Sequence, residues 1–202
     1  MIGLIFGPPG SGKGTQAARV ERDFGMSHLS TGEILRSEVA HGSAVGKEAA
    51  RVMAAGDLVS DELIDRIVDS RLRRTGHDTN VLLDGFPRTV EQAKALDRML
   101  GELVRKVDFV VALDVPEAEL VERLLHRAAV EGRADDTREA IMERMHEYRA
   151  RTAPVLDHYR RHGVPVAEVS GVGDVVQVFD RVRHGIHEAL HQPEPNAGSG
   201  GI

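Results

Sequence analysis

The sequence predicts an α/β fold in three layers, with a central parallel five-stranded sheet between two layers of helices. Short apolar runs alternate with longer amphipathic segments along most of the chain, and this alternation favours parallel strands joined by right-handed helical crossovers. A length of 202 residues suits one domain better than two, and a domain of this size buries about 70% of its unfolded surface. In such sheets ligands bind beyond the carboxyl ends of the strands.

Four mainly apolar runs, at residues 2–6, 81–84, 108–114 and 164–169, are predicted strands, because strands buried on both faces show nearly continuous apolar sequence. A further short strand is expected at 27–29. The run at 81–84 ends in Asp84, which places a carboxylate at the tip of a buried strand.

The segments between these strands have helical periodicity. Helices are expected at 12–22, 31–41, 44–54, 60–74, 90–100, 117–126, from the loop at 128–137 to about 161 with a bend near Pro154, and at 174–190. Ser30 followed by Glu33 predicts a capping box. The tail 192–202 is made mostly of Pro, Gly and polar residues, so we expect it to be disordered.

Composition excludes several classes of protein. Lys and Arg total 26 against 32 Asp and Glu, a net charge of −6, which argues against a general nucleic-acid coat. Cysteine is absent, so disulfides, thiolate zinc sites and a cysteine nucleophile are excluded. No apolar run approaches the roughly 18–20 residues that span a bilayer, and no basic segment follows Met1. We therefore expect a cytoplasmic protein with no membrane partner.

A phosphate-binding loop follows the first strand. Gly7-Pro-Pro-Gly-Ser-Gly-Lys13 fits the pattern G-x-x-x-x-G-K between a strand and a helix. Backbone N–H groups of such a loop and the helix N-terminus attract phosphate, and Lys13 can reach the outer phosphates of a nucleoside triphosphate. Gly14 stands where a magnesium-binding Ser or Thr is usual, with Thr15 one position later. The sequence therefore predicts Mg²⁺ held mainly through phosphates and waters.

Three further stretches, Leu29–Arg36, Gly56–Glu62 and Asp84–Thr89, carry the pattern of an acceptor site, together with Gln92. With the loop at residues 7–15 they resemble the adenylate kinase family, in order from Met1 to about Leu190. The resemblance implies a P-loop NTPase-type core in a single domain, 1–191, with two mobile insertions. An AMP-binding insertion would span about 30–59 and a short lid about 126–136.

The resemblance also implies the roles of individual residues. The ATP-binding residues would be Gly10, Ser11, Gly12, Lys13, Gly14, Thr15, Arg123, Arg127 and Gly173. The AMP-binding residues would be Thr31, Arg36, Asp57, Leu58, Val59, Gly85, Phe86, Pro87, Arg88, Gln92, Arg133 and Arg144. The catalytic residues would be Lys13, Asp84, Arg88, Arg127, Arg133 and Arg144, with Asp84 orienting magnesium-bound waters. The alternative for Asp84 is a strand-end acid bonded to nearby backbone.

The function implied is reversible transfer of the terminal phosphoryl group from ATP to AMP, giving two ADP. No general base is required, because a phosphate acceptor is largely ionised at neutral pH. The lid is too short to carry zinc, so Mg²⁺ is the only expected cofactor, and the family expectation is a monomer.

Two other functions remain open. A UMP/CMP kinase shares both loops, although Thr31-Gly32-Glu33 and Gln92 suit adenine better. A non-catalytic nucleotide-binding module or switch protein is the second, although the guanine-specifying motif Asn-Lys-x-Asp is absent.

The histidines are interpreted as structural. His158, His162, His184, His187 and His191 are expected on exposed helix faces rather than in a metal site. His28 is interpreted as a core or supporting residue.

Overall fold

The sheet has five parallel strands, as the sequence predicts. They are β1 (Ile2–Phe6), β2 (Ser27–Ser30), β3 (Val81–Asp84), β4 (Phe109–Asp114) and β5 (Val166–Ser170), in the order β2-β3-β1-β4-β5. The structure is a computed structural model that describes residues 1–43, 46–47, 49–51, 60–131 and 137–191. Most of the predicted helix at 44–54, the second half of the predicted lid and the C-terminal tail lie outside these residues.

Helices cover both faces of this sheet. They are α1 (Lys13–Phe24), α2 (Thr31–Ala40), α3 (Asp61–Arg74), α4 (Val90–Glu102), α5 (Glu117–Glu131), α6 (Arg138–Glu147), α7 (Ala153–Arg161) and α8 (Val175–His191). Ser30 caps α2 by accepting a hydrogen bond from the Glu33 N–H at 3.3 Å, as predicted.

Side chains alternate between two hydrophobic clusters along each central strand. In β3, Leu83 packs into the cluster formed with α3, α4 and α7, whereas Leu82 packs on the opposite face with α1 and α8. Leu4 and Ile5 divide in the same way in β1. Because both faces are buried, the strands need continuous apolar sequence, and this is the pattern that made them recognisable.

The predicted end of the helix at 117–126 is wrong. Helix α5 continues to Glu131, five residues farther. Its extension contains Ala128, Ala129 and Val130 and no proline or glycine, so nothing in it opposes helix formation. The first residues of the predicted lid, 126–131, are therefore helical.

The predicted long helix to residue 161 contains a π-helical turn, Tyr148–Thr152, between α6 and α7. The Ala153 N–H donates to the Tyr148 carbonyl, five residues earlier. Pro154, at the start of α7, has no N–H to donate to the carbonyl four residues before it, and the wider turn accommodates this.

His158 does not lie on an exposed face, contrary to the prediction. It is buried, with its Nε2 2.8 Å from Asp97 Oδ2 of α4. The packing of α7 against α4 supplies this polar partner, which the spacing of histidines within one helix does not reveal. The other four of these histidines are exposed: His162 in the turn after α7, and His184, His187 and His191 on α8.

In the described part of the chain, no helix combines the length and the apolar character that crossing a membrane requires.

Leu96→Ala is predicted to destabilise the fold. Leu96 is fully buried on α4, so its truncation removes packing and leaves a cavity, at a cost of about 2–5 kcal/mol. Leu125→Ala is the matched control, since Leu125 is 41% exposed, and it should change stability by less than about 0.5 kcal/mol. Urea unfolding followed by circular dichroism measures both, and equal losses for the two variants would contradict this description of the core.

Candidate active site

Two loops meet at the carboxyl edge of the sheet. Strand β3 pairs with both β1 and β2, and its last residue, Asp84, is in register with Ile5 and Ser30. The loops after β1 and β3 therefore leave neighbouring strands at the same edge. A cavity of about 950 Å³ opens there. Its wall includes six cationic side chains: Lys13, Arg36, Arg88, Arg123, Arg127 and Arg144.

The loop after β1 is shaped by glycines. Gly10 and Gly12 have φ values of +82° and +89°, in the left-handed region that favours glycine. A Cβ on Gly10 would also lie 2.9 Å from the Leu124 side chain of α5. The loop ends at α1, whose N-cap is Gly12, so no side chain caps this helix. The helix start is thus free of a competing side-chain oxygen and suited to an anion. All six predicted residues from Gly10 to Thr15 line the cavity.

Lys13 folds back over this loop. Its Nζ donates to the carbonyls of Gly7 at 2.7 Å and Pro8 at 3.0 Å. The pKa of Lys13 is lowered to about 8, mainly by burial; Asp84 opposes this shift, and nearby arginines, Arg88 foremost, add to it. An anion bound in the cavity would therefore stabilise the charged form of Lys13.

Asp84 is buried at the tip of β3 and also lines the cavity. Its Oδ2 lies 3.4 Å from His28 Nε2. Burial acts to lower the pKa of His28, but the hydrogen bond and charge of Asp84 outweigh it, and the pKa is raised. In the described part of the chain the side-chain partner of Asp84 is thus an imidazole, not backbone.

The loop after β3 is held from two sides. The Gly85 carbonyl accepts from Arg88 Nε at 2.8 Å and from Thr31 Oγ1 at 3.0 Å. The Arg88 carbonyl accepts from Thr152 Oγ1 of the π-helical turn at 3.0 Å. Burial, followed by the charge of Arg144, lowers the pKa of Arg88. These bonds hold the Arg88 guanidinium at the cavity in spite of like charges nearby.

The far end of the cavity lies between α5 and the loop after β5. Arg123 Nη2 donates to the Gly171 carbonyl at 3.0 Å and forms an ion pair with Glu119, one turn earlier on α5. Gly173, whose φ is +117°, lines the same part of the wall. Arg123 thus ties the helix carrying Arg127 to the loop carrying Gly173.

Not every predicted site residue reaches the cavity wall. Thr31 and Gln92 are each only 2% exposed and bond within the protein. Residues Gly85, Phe86, Pro87 and Arg88 do line the wall, as do Arg36 and Arg144. Asp57, Leu58, Val59 and Arg133 lie outside the described residues.

Three supporting residues were not predicted from the sequence: Asp61 bonds Gln92, Glu119 pairs with Arg123, and Thr152 bonds the Arg88 carbonyl. His28, interpreted from the sequence as a core or supporting residue, contacts Asp84. In the sequence, Asp61 is part of the stretch Gly56–Glu62 and stands at the start of a predicted helix, but it has no assigned role. No local pattern indicates its partner, which lies 31 residues farther along the chain.

Comparison with known proteins decides the family. The family model for adenylate kinase matches residues 5–164, which include the loops after β1 and β3 and the arginines of α5 and α6. The chain belongs to the adenylate kinase family.

The sequences of curated relatives align with nearly the whole chain. The adenylate kinases of Stenotrophomonas maltophilia (strain R551-3) and Xanthomonas campestris pv. campestris (strain 8004) are 45% and 47% identical to it over 179 residues, 89% of this chain and 95% of each relative. That of Leptospira biflexa (strain Patoc 1 / Ames) is 47% identical over 180 residues, 89% of this chain and 96% of the relative. The chain is therefore a phosphotransferase of the nucleoside monophosphate kinase class, as the sequence predicts.

The affinity for ATP is predicted to fall above about pH 8 because of Lys13. Below its pKa of about 8 the ammonium is charged and attracts phosphate, and above it the neutral amine does not. The dissociation constant should rise by up to about tenfold per pH unit above this value, measured by calorimetry between pH 6.5 and 9.5.

The variant Lys13→Met should bind ATP weakly, with no inflection near pH 8. Lys94→Met is the control, because Lys94 is exposed and pairs with Glu91 on its own helix, and it should keep the original profile. An inflection that persists in Lys13→Met would assign the titration to another group.

Proposed function

We propose that the cavity holds two nucleotides with their phosphates end to end, ATP on the loop Gly7–Lys13 and AMP on the loop Gly85–Arg88. The chain catalyses the reversible transfer of the terminal phosphoryl group from ATP to AMP, which gives two ADP. The observation that carries the two-site proposal is the convergence of both loops on one cavity, with cations from four helices on its wall.

Each end of the cavity has residues suited to its nucleotide. On the donor side, Gly10–Thr15 would wrap the ATP phosphates, and Arg123 and Gly173 would border the adenine. On the acceptor side, Arg36 and Arg88 would bind the AMP phosphate bidentately, as planar guanidinium groups do. Asp57–Val59 would complete the acceptor site, as the resemblance implies.

Arg127 and Arg144 would act between the two phosphate chains, with Arg133 from the lid. The transition state of phosphoryl transfer spreads negative charge over equatorial oxygens, so placed cations supply most of the catalysis. The lowered pKa values of Lys13 and Arg88 support this role, because crowded cations gain most from an arriving anion. No side chain needs to remove a proton, since the AMP phosphate is already ionised.

Adenylate kinases use Mg²⁺ together with ATP, and the residues present fit a weakly held ion. Asp84 is a buried carboxylate beside the loop, where a Cβ on Gly14 would lie 3.8 Å from its Oδ2. Gly14 itself offers no side-chain oxygen, which suits an ion held mainly by phosphates and waters. When bound, Mg²⁺ neutralises charge on the phosphates, and Asp84 would hold its water ligands.

Several expectations remain part of the proposal. The chain would be one domain, 1–191, whose insertions at about 30–59 and 126–136 close over the nucleotides and exclude water. Closure would proceed without zinc, since the chain has no cysteine. We also propose a cytoplasmic monomer with no nucleic-acid or membrane partner.

Acceptor specificity tests this function against a UMP/CMP kinase. With ATP as donor, kcat/KM for AMP should exceed that for CMP and UMP by at least about a hundredfold, because a pocket that fits the two rings of adenine would make fewer contacts with a single-ring pyrimidine. Steady-state rates with the three monophosphates measure this side by side. A preference for CMP or UMP would overturn the assignment.

A further inference from the structure

The side-chain amide of Gln92 is held in one orientation by two opposite partners. Its Oε1 accepts from the Arg88 backbone N–H at 2.7 Å, and its Nε2 donates to Asp61 Oδ1 at 2.8 Å. A backbone N–H can only donate and an ionised carboxylate can only accept. The assignment of oxygen and nitrogen in this amide is therefore fixed by chemistry.

Asp61 is itself held in place. It is the first residue of α3, and its Oδ2 accepts from Thr89 Oγ1 at 3.1 Å. Thr89 caps α4 by accepting from the Gln92 N–H, also at 3.1 Å. Thr89 and Gln92 are buried. Turning the amide by 180° would place its NH₂ group against the Arg88 N–H and its oxygen against the Asp61 carboxylate. Neither pair can form a hydrogen bond, and because Gln92 is buried away from water the turn is costly.

This fixed amide has a defined capacity for a ligand. An amide NH₂ has two donors and its oxygen has two acceptor positions. After the bonds to Asp61 and Arg88, one N–H on Nε2 and one lone pair on Oε1 of Gln92 remain. Because the amide cannot turn, the donor and the acceptor cannot exchange places. Gln92 adjoins Arg88, which lines the acceptor side of the cavity.

Two purines present opposite patterns to such a group. The edge of adenine offers an acceptor at N1 and a donor at its 6-amino group. Hypoxanthine, the base of IMP, offers a donor at N1 and an acceptor at its 6-oxo group. An amide free to turn pairs with either base, whereas a fixed amide pairs with only one of them.

We propose that Asp61 is a positioning residue that sets the base specificity of the acceptor site. By fixing the Gln92 amide, it makes the site accept a 6-aminopurine monophosphate and reject a 6-oxopurine monophosphate. The inference rests on the proposed function, in which the Gln92 amide, although buried beside the cavity in this structure, contacts the base of AMP as the resemblance to adenylate kinases implies.

The test is the ratio of kcat/KM for AMP to kcat/KM for IMP in Asp61→Asn. An asparagine can present either its oxygen or its nitrogen, so the Gln92 amide can turn at the loss of the Arg88 bond alone. The ratio should fall by about tenfold or more, the effect of one hydrogen bond to a charged group. Asp61→Glu keeps an acceptor-only group and should retain most of the ratio.

A structural role alone would lower the rates with both monophosphates equally and leave the ratio unchanged, which would overturn the inference. Thr89→Val is the matched control, since it removes the other bond of Asp61 and the cap of α4 but keeps both partners of the Gln92 side-chain amide. It should lower the melting temperature and preserve the ratio.

Gln92→Leu separates this inference from the function on which it rests. If kcat/KM for AMP is unchanged in Gln92→Leu, Gln92 does not contact the base, and its place in the acceptor site and the role of Asp61 are both wrong. If Gln92→Leu impairs the use of AMP by tenfold or more while Asp61→Asn leaves the ratio unchanged, only the role of Asp61 is wrong.

Discussion

The site depends on one physical constraint: six positively charged side chains are confined around a single cavity. Lys13 and Arg88 both have lowered pKa values, in each case through burial first and through neighbouring arginines as well. Such groups repel one another, and a polyphosphate bound among them would relieve this repulsion. The net charge of −6 conceals this, because the acidic residues lie mostly elsewhere on the chain.

The sheet resists this repulsion by fixing the backbone on which the cations stand. Strands β1 and β3 are buried on both faces, and their ends deliver two loops to neighbouring positions. Hydrogen bonds then fix the loops themselves, from Lys13 to the carbonyls of its own loop and from Thr152 to that of Arg88. Helices α5 and α6, which carry Arg127 and Arg144, share a small hydrophobic cluster of their own. The charges are thus placed by rigid elements rather than by one another.

Local sequence was sufficient for the sheet and the two loops, because continuous apolar runs and glycine patterns act over a few residues. It was insufficient where a contact between two segments far apart in the chain determines how a side chain is buried or oriented. The burial of His158 depends on Asp97, and the orientation of Gln92 depends on Asp61. The extension of α5 to Glu131 was missed for another reason: the whole stretch 128–137 was interpreted as a loop, although Ala128 and Ala129 at its start favour helix. The π-helical turn Tyr148–Thr152, just before Pro154, is a widening of the helix that the sequence pattern did not predict.

The most direct test of the central claim is calorimetric binding of a bisubstrate analogue in which five phosphates join two adenosines. If the cations of one cavity hold two phosphate chains end to end, one analogue binds per chain, and both ATP and AMP compete with it. Binding of two analogues per chain, or competition by only one of the two nucleotides, would contradict the account.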